Sequence, residues 1–193
     1  MNRFVFAVVL CGLAASAVPA AAQQQPQAQA YATPTPAPNQ FTDPAMSFTA
    51  PEGYFKANIP PHDPTQFDDG KATMVAAFAP RDGRRMITIT MESFQGTLAG
   101  WEMVTENELR DQADGVFIKH KDLTKLANGM PAYWQEITVG SGFQTLKRYQ
   151  YVWIDGVRGV VLSVTGRLGE ISEDDAKKAL ANASAVAFPI NRY

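Results

Sequence analysis

The amino-acid sequence predicts an α+β fold: a single domain in which helices pack on both faces of an antiparallel β-sheet, as in an α/β/α sandwich. One observation is the segment 146–166, which has the pattern of a β-hairpin with apolar side chains on both faces. Such a hairpin is typical of the middle of a sheet that is covered on each side. The other observation is that two segments with helical periodicity, 97–114 and 172–187, alternate with strand-like segments.

The N-terminus has the pattern of a secretory signal peptide. Arg3 precedes an apolar run over residues 4–17, and Ala20-Ala21-Ala22 fits the small-residue cleavage motif. The run is shorter than the roughly 20 residues of a membrane-spanning helix, and no later segment is apolar enough to span. We therefore expect residues 1–22 to be removed and the mature protein to be periplasmic or extracellular.

Cys11 is the single cysteine and lies inside the predicted signal peptide. The mature chain would then hold no disulfide, no cysteine nucleophile and no thiolate metal site. Two alternatives remain open for Cys11. It serves as an apolar residue of the signal, or it is lipidated, although Leu10 is bulkier than the small residue that a lipoprotein signal carries there.

The net charge limits the classes of partner. The chain has 17 Lys and Arg against 19 Asp and Glu, and signal cleavage would remove one base, Arg3. A mildly acidic surface of mixed charge argues against nucleic acid or an anionic membrane as the main partner.

Residues 23–45 are predicted to form a disordered tether rich in Gln, Pro and Ala. The stretch 23–40 has no charge and almost no large apolar residue, so it cannot bury enough surface to offset the entropy of ordering it. A proline-rich ligand is the alternative, but the stretch lacks a P-x-x-P core flanked by basic residues. The folded domain then starts near Phe41 or Met46, and we take it as 46–193, which is long enough for one hydrophobic core.

The domain begins with strand-like alternation of period two. A short strand is predicted at 55–59, and two further strands, 72–79 and 84–94, are joined by the hairpin dipeptide Asp82-Gly83. A loop rich in Pro and Asp separates the first strand from the hairpin.

A helix is predicted over 97–114. Its apolar side contains Leu98, Trp101, Leu109 and Ala113, and Gly115 follows as the C-cap. A strand over 116–123 comes next. A bend at 129–131 then opens another strand, in which Tyr133 and Trp134 point to opposite faces because side chains alternate.

The segment 146–166 is expected to turn at Asp155-Gly156, which pairs Trp153 with Arg158 across the hairpin. The last helix begins at the N-cap Ser172, followed by three acidic residues where the helix dipole favours them. The expected buried stripe of this helix is rich in alanine: Ala176, Ala179, Leu180, Ala183 and Ala187.

The order of these elements and several short motifs resemble the PsbP-like superfamily, which includes the bacterial DcrB-like envelope proteins and a Ran-binding import factor. The motifs are Pro51-Glu52-Gly53-Tyr54, a strand opening at Gly129, "YVW" at 151–153, "VVLSVTG" at 160–166 and "AVAF" at 185–188. The resemblance implies an antiparallel sheet with helices on both faces. It also implies a fold used for docking onto other proteins and not for catalysis, and it carries over no site residues.

Few residues are candidates for catalysis or metal binding. His62 and His120 are the two histidines, and each is expected to be a solvated polar residue. Ser141 lies in "VGSGF", which we interpret as a hairpin connection because a nucleophile elbow needs G-x-S-x-G between a strand and a helix. A Ca²⁺ site in the loop of His62, Asp63, Asp68 and Asp69 is the alternative to an ordinary turn there.

The candidate partner surface consists of Arg84, Arg85 and Trp134. The two arginines crowd the Asp82-Gly83 turn together with Arg81, either as an anionic docking point or as a solvated hairpin tip that discourages edge pairing. Trp134 is either an exposed aromatic anchor or a core residue.

We therefore expect an exported, non-enzymatic protein-binding or adaptor domain that needs no cofactor or metal and docks onto an envelope protein. The alternatives are a carrier for a small apolar ligand and an envelope hydrolase that uses His62 or His120.

Overall fold

The computed structural model describes residues 39–60 and 71–185, and these residues form ten strands and two α-helices. The predicted signal peptide, the tether up to residue 38, the loop at 61–70 with His62, and residues 186–193 lie outside the described part. The strands are β1 (Gln40–Asp43), β2 (Met46–Thr49), β3 (Tyr54–Lys56), β4 (Thr73–Pro80), β5 (Arg85–Ser93), β6 (Phe117–Lys125), β7 (Pro131–Val139), β8 (Leu146–Ile154), β9 (Arg158–Arg167) and β10 (Ser184–Ala185). The helices are α1 (Leu98–Gln112) and α2 (Glu173–Leu180).

The strands build two antiparallel sheets. The large sheet has seven strands in the order β3-β4-β5-β9-β8-β7-β6, and the small sheet has three in the order β1-β2-β10. The hairpin of β8 and β9 is therefore central in the large sheet, as its two apolar faces predicted. Strands hold 49% of the described residues and helices 19%.

The predicted α/β/α sandwich with helices on both faces is wrong, because the fold is mostly β and contains a second sheet. The main hydrophobic core joins the large sheet to α2 and to side chains in and beside the small sheet, among them Phe48, Ala183 and Ala185. The ring of Phe48 packs edge-on against Phe78 at 5.6 Å. A layer that was expected to be helical is thus built largely from strands.

Two segments account for this error. The helix predicted over 172–187 ends at Leu180, and Ser184 and Ala185 pair with β2 instead. The buried alanines after Leu180 fit a helix stripe equally well, so composition alone could not separate the two structures. The segment 40–43, which was assigned to the tether, forms β1 and completes the small sheet.

The register of the central hairpin differs from the prediction by two residues. Trp153 pairs with Val160, and Ile154 pairs with Gly159. The cause is Asp155, whose Oδ1 accepts the amide N–H groups of Val157 and Arg158 and so moves the turn to Gly156-Val157. Because the error is an even number of residues, every side chain keeps its predicted face.

Several local predictions are confirmed. The β4–β5 hairpin turns at Asp82-Gly83, where Gly83 has a φ of 64°. The helix predicted over 97–114 is α1, in which Oγ1 of Thr97 accepts the amide N–H of Gly100 at 3.1 Å, although the C-cap is Ala113 and not the expected Gly115. Tyr133 and Trp134 lie on opposite faces of the sheet, against different core clusters.

Helix α1 approaches the large sheet closely at one glycine. Trp101 of α1 packs on Val152 and Val161, and its Nε1 donates to the carbonyl oxygen of Val160 at 3.4 Å. A Cβ atom at Gly159 would overlap the Trp101 ring. The absence of a side chain at 159 therefore fixes how near the helix lies.

A buried ion-pair network ties the first strand to the central hairpin. Arg158 donates to both carboxylate oxygens of Asp43, at 2.9 and 2.7 Å, and its Nε donates to Asp155 at 2.7 Å. These side chains are at most 4% exposed. The folded unit thus includes β1, so that of the two predicted starts, near residues 41 and 46, the earlier one fits.

We predict that Gly159→Ala destabilises the domain by about 2–3 kcal/mol, because overpacking pushes Trp101 away from the sheet. The measurement is urea unfolding followed by tryptophan fluorescence. Gly100→Ala in α1 is the control and should change the free energy of unfolding by less than about 1 kcal/mol. If Gly159→Ala and Gly100→Ala changed the free energy of unfolding equally, the close approach of Trp101 to Gly159 would be contradicted.

We predict that Asp43→Ala lowers the free energy of unfolding by about 3–5 kcal/mol, because it removes one of the carboxylates that pair with the buried Arg158. Asp122→Ala is the matched control. It removes a carboxylate whose pairing with His120 is exposed, so the expected loss is about 1 kcal/mol or less. A loss at Asp43 no larger than that of the control would show that β1 is not held by this network.

Candidate docking surface

Arginine side chains are concentrated at one end of the large sheet, where β5 and β8 begin and β9 ends. Of the seven arginines in the described ranges 39–60 and 71–185, all except Arg158 lie at this end or on the adjoining last turn of α1. They are Arg81, Arg84, Arg85, Arg110, Arg148 and Arg167. We call this region the arginine end.

An open cleft of about 550 Å³ lies at the arginine end. It is lined by the β4–β5 turn, the start of β5, the start of β8, and the end of β9 with the loop that follows. The lining residues are Asp82, Gly83, Arg84, Arg85, Met86, Leu146, Thr165, Gly166, Arg167 and Glu170. The cleft therefore presents positively charged, negatively charged and apolar side chains.

Arg84 and Arg85, the two arginines predicted as candidate surface residues, differ in their contacts with the rest of the fold. Arg85 donates to the carbonyl oxygen of Glu170, and its Nη2 lies 3.8 Å from the carboxylate of Asp175. The side chain of Arg84 is exposed and has no hydrogen bond or ion pair to any described residue. Arg84 is therefore available to a ligand, whereas Arg85 is partly used in holding the β9–α2 loop.

Exposed apolar side chains adjoin the cleft. Phe143, in the connection between β7 and β8, is fully exposed, and Leu168, directly after β9, is 58% exposed. The two loops are joined by a hydrogen bond from the amide of Leu168 to the carbonyl oxygen of Thr145, at 3.1 Å. Leu146 is also exposed and lines the cleft itself.

Trp134 does not belong to this surface, because its side chain is only 3% exposed. Its ring lies 5.8 Å from that of Tyr149 and 4.7 Å from that of Tyr151, and its Nε1 donates to Glu173 of α2 at 3.2 Å. The interpretation of Trp134 as an exposed anchor is therefore corrected, and the structure places it in the core.

The sequence did not identify Arg148, Arg167, Phe143 or Leu168 as candidate residues. Arg148 and Arg167 are far apart in the chain and become neighbours only through the pairing of β8 with β9. The alternation in the predicted hairpin could have placed both on one face. No local signal placed them beside the β4–β5 turn.

A row of polar side chains crosses the large sheet beneath α1. The row follows the strand register from Thr88 through Ser163, Gln150 and Gln135 to Lys121. Gln150 donates to Gln135 at 2.6 Å, and Gln135 donates to Glu102 of α1 at 2.7 Å. The helix is thus attached to the sheet partly by buried hydrogen bonds.

Glu102 ends this row in a cluster of ionisable groups. Its Oε1 lies 3.0 Å from Nζ of Lys121, which is also 3.0 Å from Glu106. Burial raises the pKa of Glu102, and the hydrogen bond to Glu106 acts in the same direction. That hydrogen bond lowers the pKa of Glu106.

The described residues show little that resembles a catalytic or metal centre. His120 lies 2.6 Å from Asp122 on the edge strand β6, and both side chains are about half exposed. Among residues 39–60 and 71–185, no group of three or more His, Cys, Asp or Glu is placed to hold a metal ion. In the same ranges, no helix is long and apolar enough to cross a membrane.

Comparison with known proteins adds little. No protein-family model matches the chain, and no curated protein matches it. Among solved structures, one similar chain comes from Bacteroides thetaiotaomicron, with 14% sequence identity and a TM-score of 0.46. The match covers 76% of this chain and 48% of the Bacteroides chain, so this chain spans about half the length of that protein.

The raised pKa of Glu102 predicts a pH dependence of stability. The folded chain binds a proton at Glu102 more tightly than the unfolded chain does, so this group stabilises the fold as the pH falls from 7 towards 5. We expect the free energy of unfolding of the native chain to rise over that range relative to Glu102→Gln. Urea titrations at pH 7, 6 and 5 measure the difference.

Glu106→Gln is the control for this pH dependence. It removes the neighbouring carboxyl but leaves Glu102 buried, and burial is the largest cause of the shift. The relative rise should therefore persist in Glu106→Gln. A Glu102→Gln chain with the same pH profile as the native chain would show that Glu102 is not the titrating group.

Proposed function

We propose that this protein is an exported, non-enzymatic binding or adaptor domain, and that it docks onto an envelope protein through the arginine end. The signal-peptide pattern at residues 1–22 supports export. The resemblance to PsbP-like docking domains remains a prediction from short motifs, and the helical layers that it implied are wrong.

The observation that carries the proposal is the joint exposure of cationic and apolar side chains at one end of the sheet. Arg84 and Arg167 line the cleft and have no hydrogen-bonded or ionic partner among the described side chains, and Phe143 and Leu168 are exposed in loops at the same end of the sheet. Arginine and aromatic residues are enriched at protein interfaces, where aromatic side chains fill pockets and arginines pair with carboxylates.

The alternatives fit the described residues less well. A carrier for an apolar ligand needs a predominantly apolar cavity, whereas the cleft at the arginine end is lined by three arginines and two acids. A hydrolase that uses His120 needs a nucleophile within hydrogen-bond reach of the imidazole. His120 is paired with Asp122 on the edge strand β6, and neither residue lines the cleft.

A crosslinking pull-down with tagged residues 23–193 from the native envelope fraction tests the proposal. We expect a partner whose recovery falls about tenfold in Arg84→Ser/Arg85→Ser and in Phe143→Ser/Leu168→Ser, because each pair removes contacts worth more than about 1.4 kcal/mol. Mass spectrometry identifies and quantifies the partner. A tag on residues 23–45 alone is the background sample.

Lys125→Ser/Lys178→Ser is the matched control, because it makes the same change of charge at two exposed positions outside the cleft lining. Recovery should be unchanged in this variant. The proposal fails if no partner depends on the folded domain, or if the control reduces recovery as much as the arginine variant does.

A further inference from the structure

Three arginines at the arginine end surround one threonine. Thr165, Arg84 and Arg167 line the cleft, and the register pairs Thr165 directly with Arg148 on β8, just outside the lining. Side chains of paired residues lie on the same face about 5 Å apart at Cβ, and residues two apart along a strand share that face. Arg148 and Arg167 therefore project from the same face of the sheet as Thr165.

Arg148 carries a charge that the described residues do not balance. Its Nε is buried without a hydrogen-bond partner, and the side chain makes no ion pair with any described residue. Burial lowers the pKa of Arg148 to about 10, so the guanidinium is still charged at neutral pH. A partly desolvated charge without a counter-charge is costly, and a bound anion would remove that cost.

The cleft also contains an acceptor without a partner. Oε2 of Glu170 is buried and receives no hydrogen bond from the described residues. The cleft thus presents guanidinium donors beside a carboxylate acceptor. A phosphate group would satisfy the guanidinium donors, but its oxygens supply no N–H donor to Glu170. An acidic peptide supplies a carboxylate for the arginines and main-chain N–H groups for Glu170.

The shape of the cleft also favours a peptide over a membrane surface as the ligand. Arg148 and Thr165 are only partly exposed, on strands behind the rim of the cleft, where a flat bilayer surface would not reach them. Leu146, Leu168 and Phe143 provide apolar contacts at the rim. An extended segment could place an acidic side chain inside and an apolar side chain against this rim.

Resting on the proposed docking role, we infer that the cleft recognises an acidic segment of the partner protein. The carboxylate of an Asp or Glu pairs with Arg148 and Arg167, with Arg84 at the mouth, and a neighbouring apolar residue packs on Leu146 and Leu168. Arginine suits this role because its planar fork binds a carboxylate through two parallel hydrogen bonds.

Selection from a random dodecapeptide library displayed on phage tests this inference without knowledge of the partner. The bait is the mature chain, residues 23–193, and an enriched peptide is then synthesised with its Glu and Asp intact or replaced by Gln and Asn. We expect enrichment of acidic residues next to apolar ones, and at least a tenfold loss of affinity in the Gln and Asn peptide. Enrichment without acidic residues, or no enrichment, would overturn the inference.

Arg148→Met separates a binding role from a structural one. Because this substitution removes an unbalanced charge and keeps a similar length, we expect the melting temperature to rise by about 2–4 °C while the affinity for the acidic peptide falls at least tenfold. Arg167→Ser should also weaken binding. Lys125→Ser is the matched control, since it also removes one positive charge, at an exposed position outside the arginine end and the cleft lining, and it should bind as the native chain does.

Further results show whether the bound anion is a peptide carboxylate or a lipid phosphate. They also separate the acidic-segment inference from the proposed adaptor role. Vesicles that contain phosphatidylglycerol should not displace the peptide, and displacement that depends on Arg148 would overturn the inference in favour of a lipid surface. If the envelope partner binds normally to Arg148→Met and Arg167→Ser, the adaptor role stands and the acidic-segment inference fails. If the peptide binds as expected but no envelope partner is found, the cleft chemistry stands and the adaptor role fails.

Discussion

The contact of Arg158 with Asp43 and Asp155 is the interaction on which the arrangement of the two sheets depends. Arg158 begins β9 in the centre of the large sheet, whereas Asp43 ends β1 in the small sheet. Two charges buried to this extent are stable only when their hydrogen bonds are met, which the bidentate geometry achieves. The network fixes both the position of β1 and the turn that sets the register of the central hairpin.

That register divides the large sheet into two faces with different chemistry. One face carries the main hydrophobic core, in which Phe48 and Phe78 pack together. The other face holds the polar row and meets α1, of which the buried residues are Trp101, Glu102 and Thr105. An apolar interface has many nearly equivalent packings, whereas a hydrogen-bonded one has few. The row therefore selects one position of α1 on the sheet.

The sequence predicted local structure well and long-range structure poorly, for identifiable reasons. Alternation correctly placed Tyr133 and Trp134 on opposite faces, and Thr97 and Ser172 marked the helix starts. The small sheet was missed because β1 and β10 are only four and two residues long, too short for a periodic pattern. Both strands are recognisable only by their pairing with β2, and the pairing of β10 with β2 brings together residues more than 130 positions apart.

The same limit applies to the candidate site. Arg84 and Arg85 were found because they stand beside a turn dipeptide, which is a local feature. Arg148 and Arg167 were not found, since their significance depends on which strands adjoin. Trp134 was placed among the surface candidates because residue type indicates an anchor as readily as a core residue, and only the packing of Tyr149 and Tyr151 decides between them.

Polar atoms that lack a hydrogen-bond partner differ in whether a ligand can reach them and supply one. Oε1 of Gln150 lacks a hydrogen-bond partner in the polar row, and Gln150 is fully buried, so no ligand reaches it without moving α1. Glu170 lines an open cleft, and Arg148 is the strand partner of Thr165, which also lines that cleft. The free-energy cost of an unsatisfied polar atom is retained where the binding of a ligand can remove it. Where the atom is enclosed in the core, that cost is offset by the specificity of the core packing. This difference favours the arginine end over the polar row as the proposed docking surface.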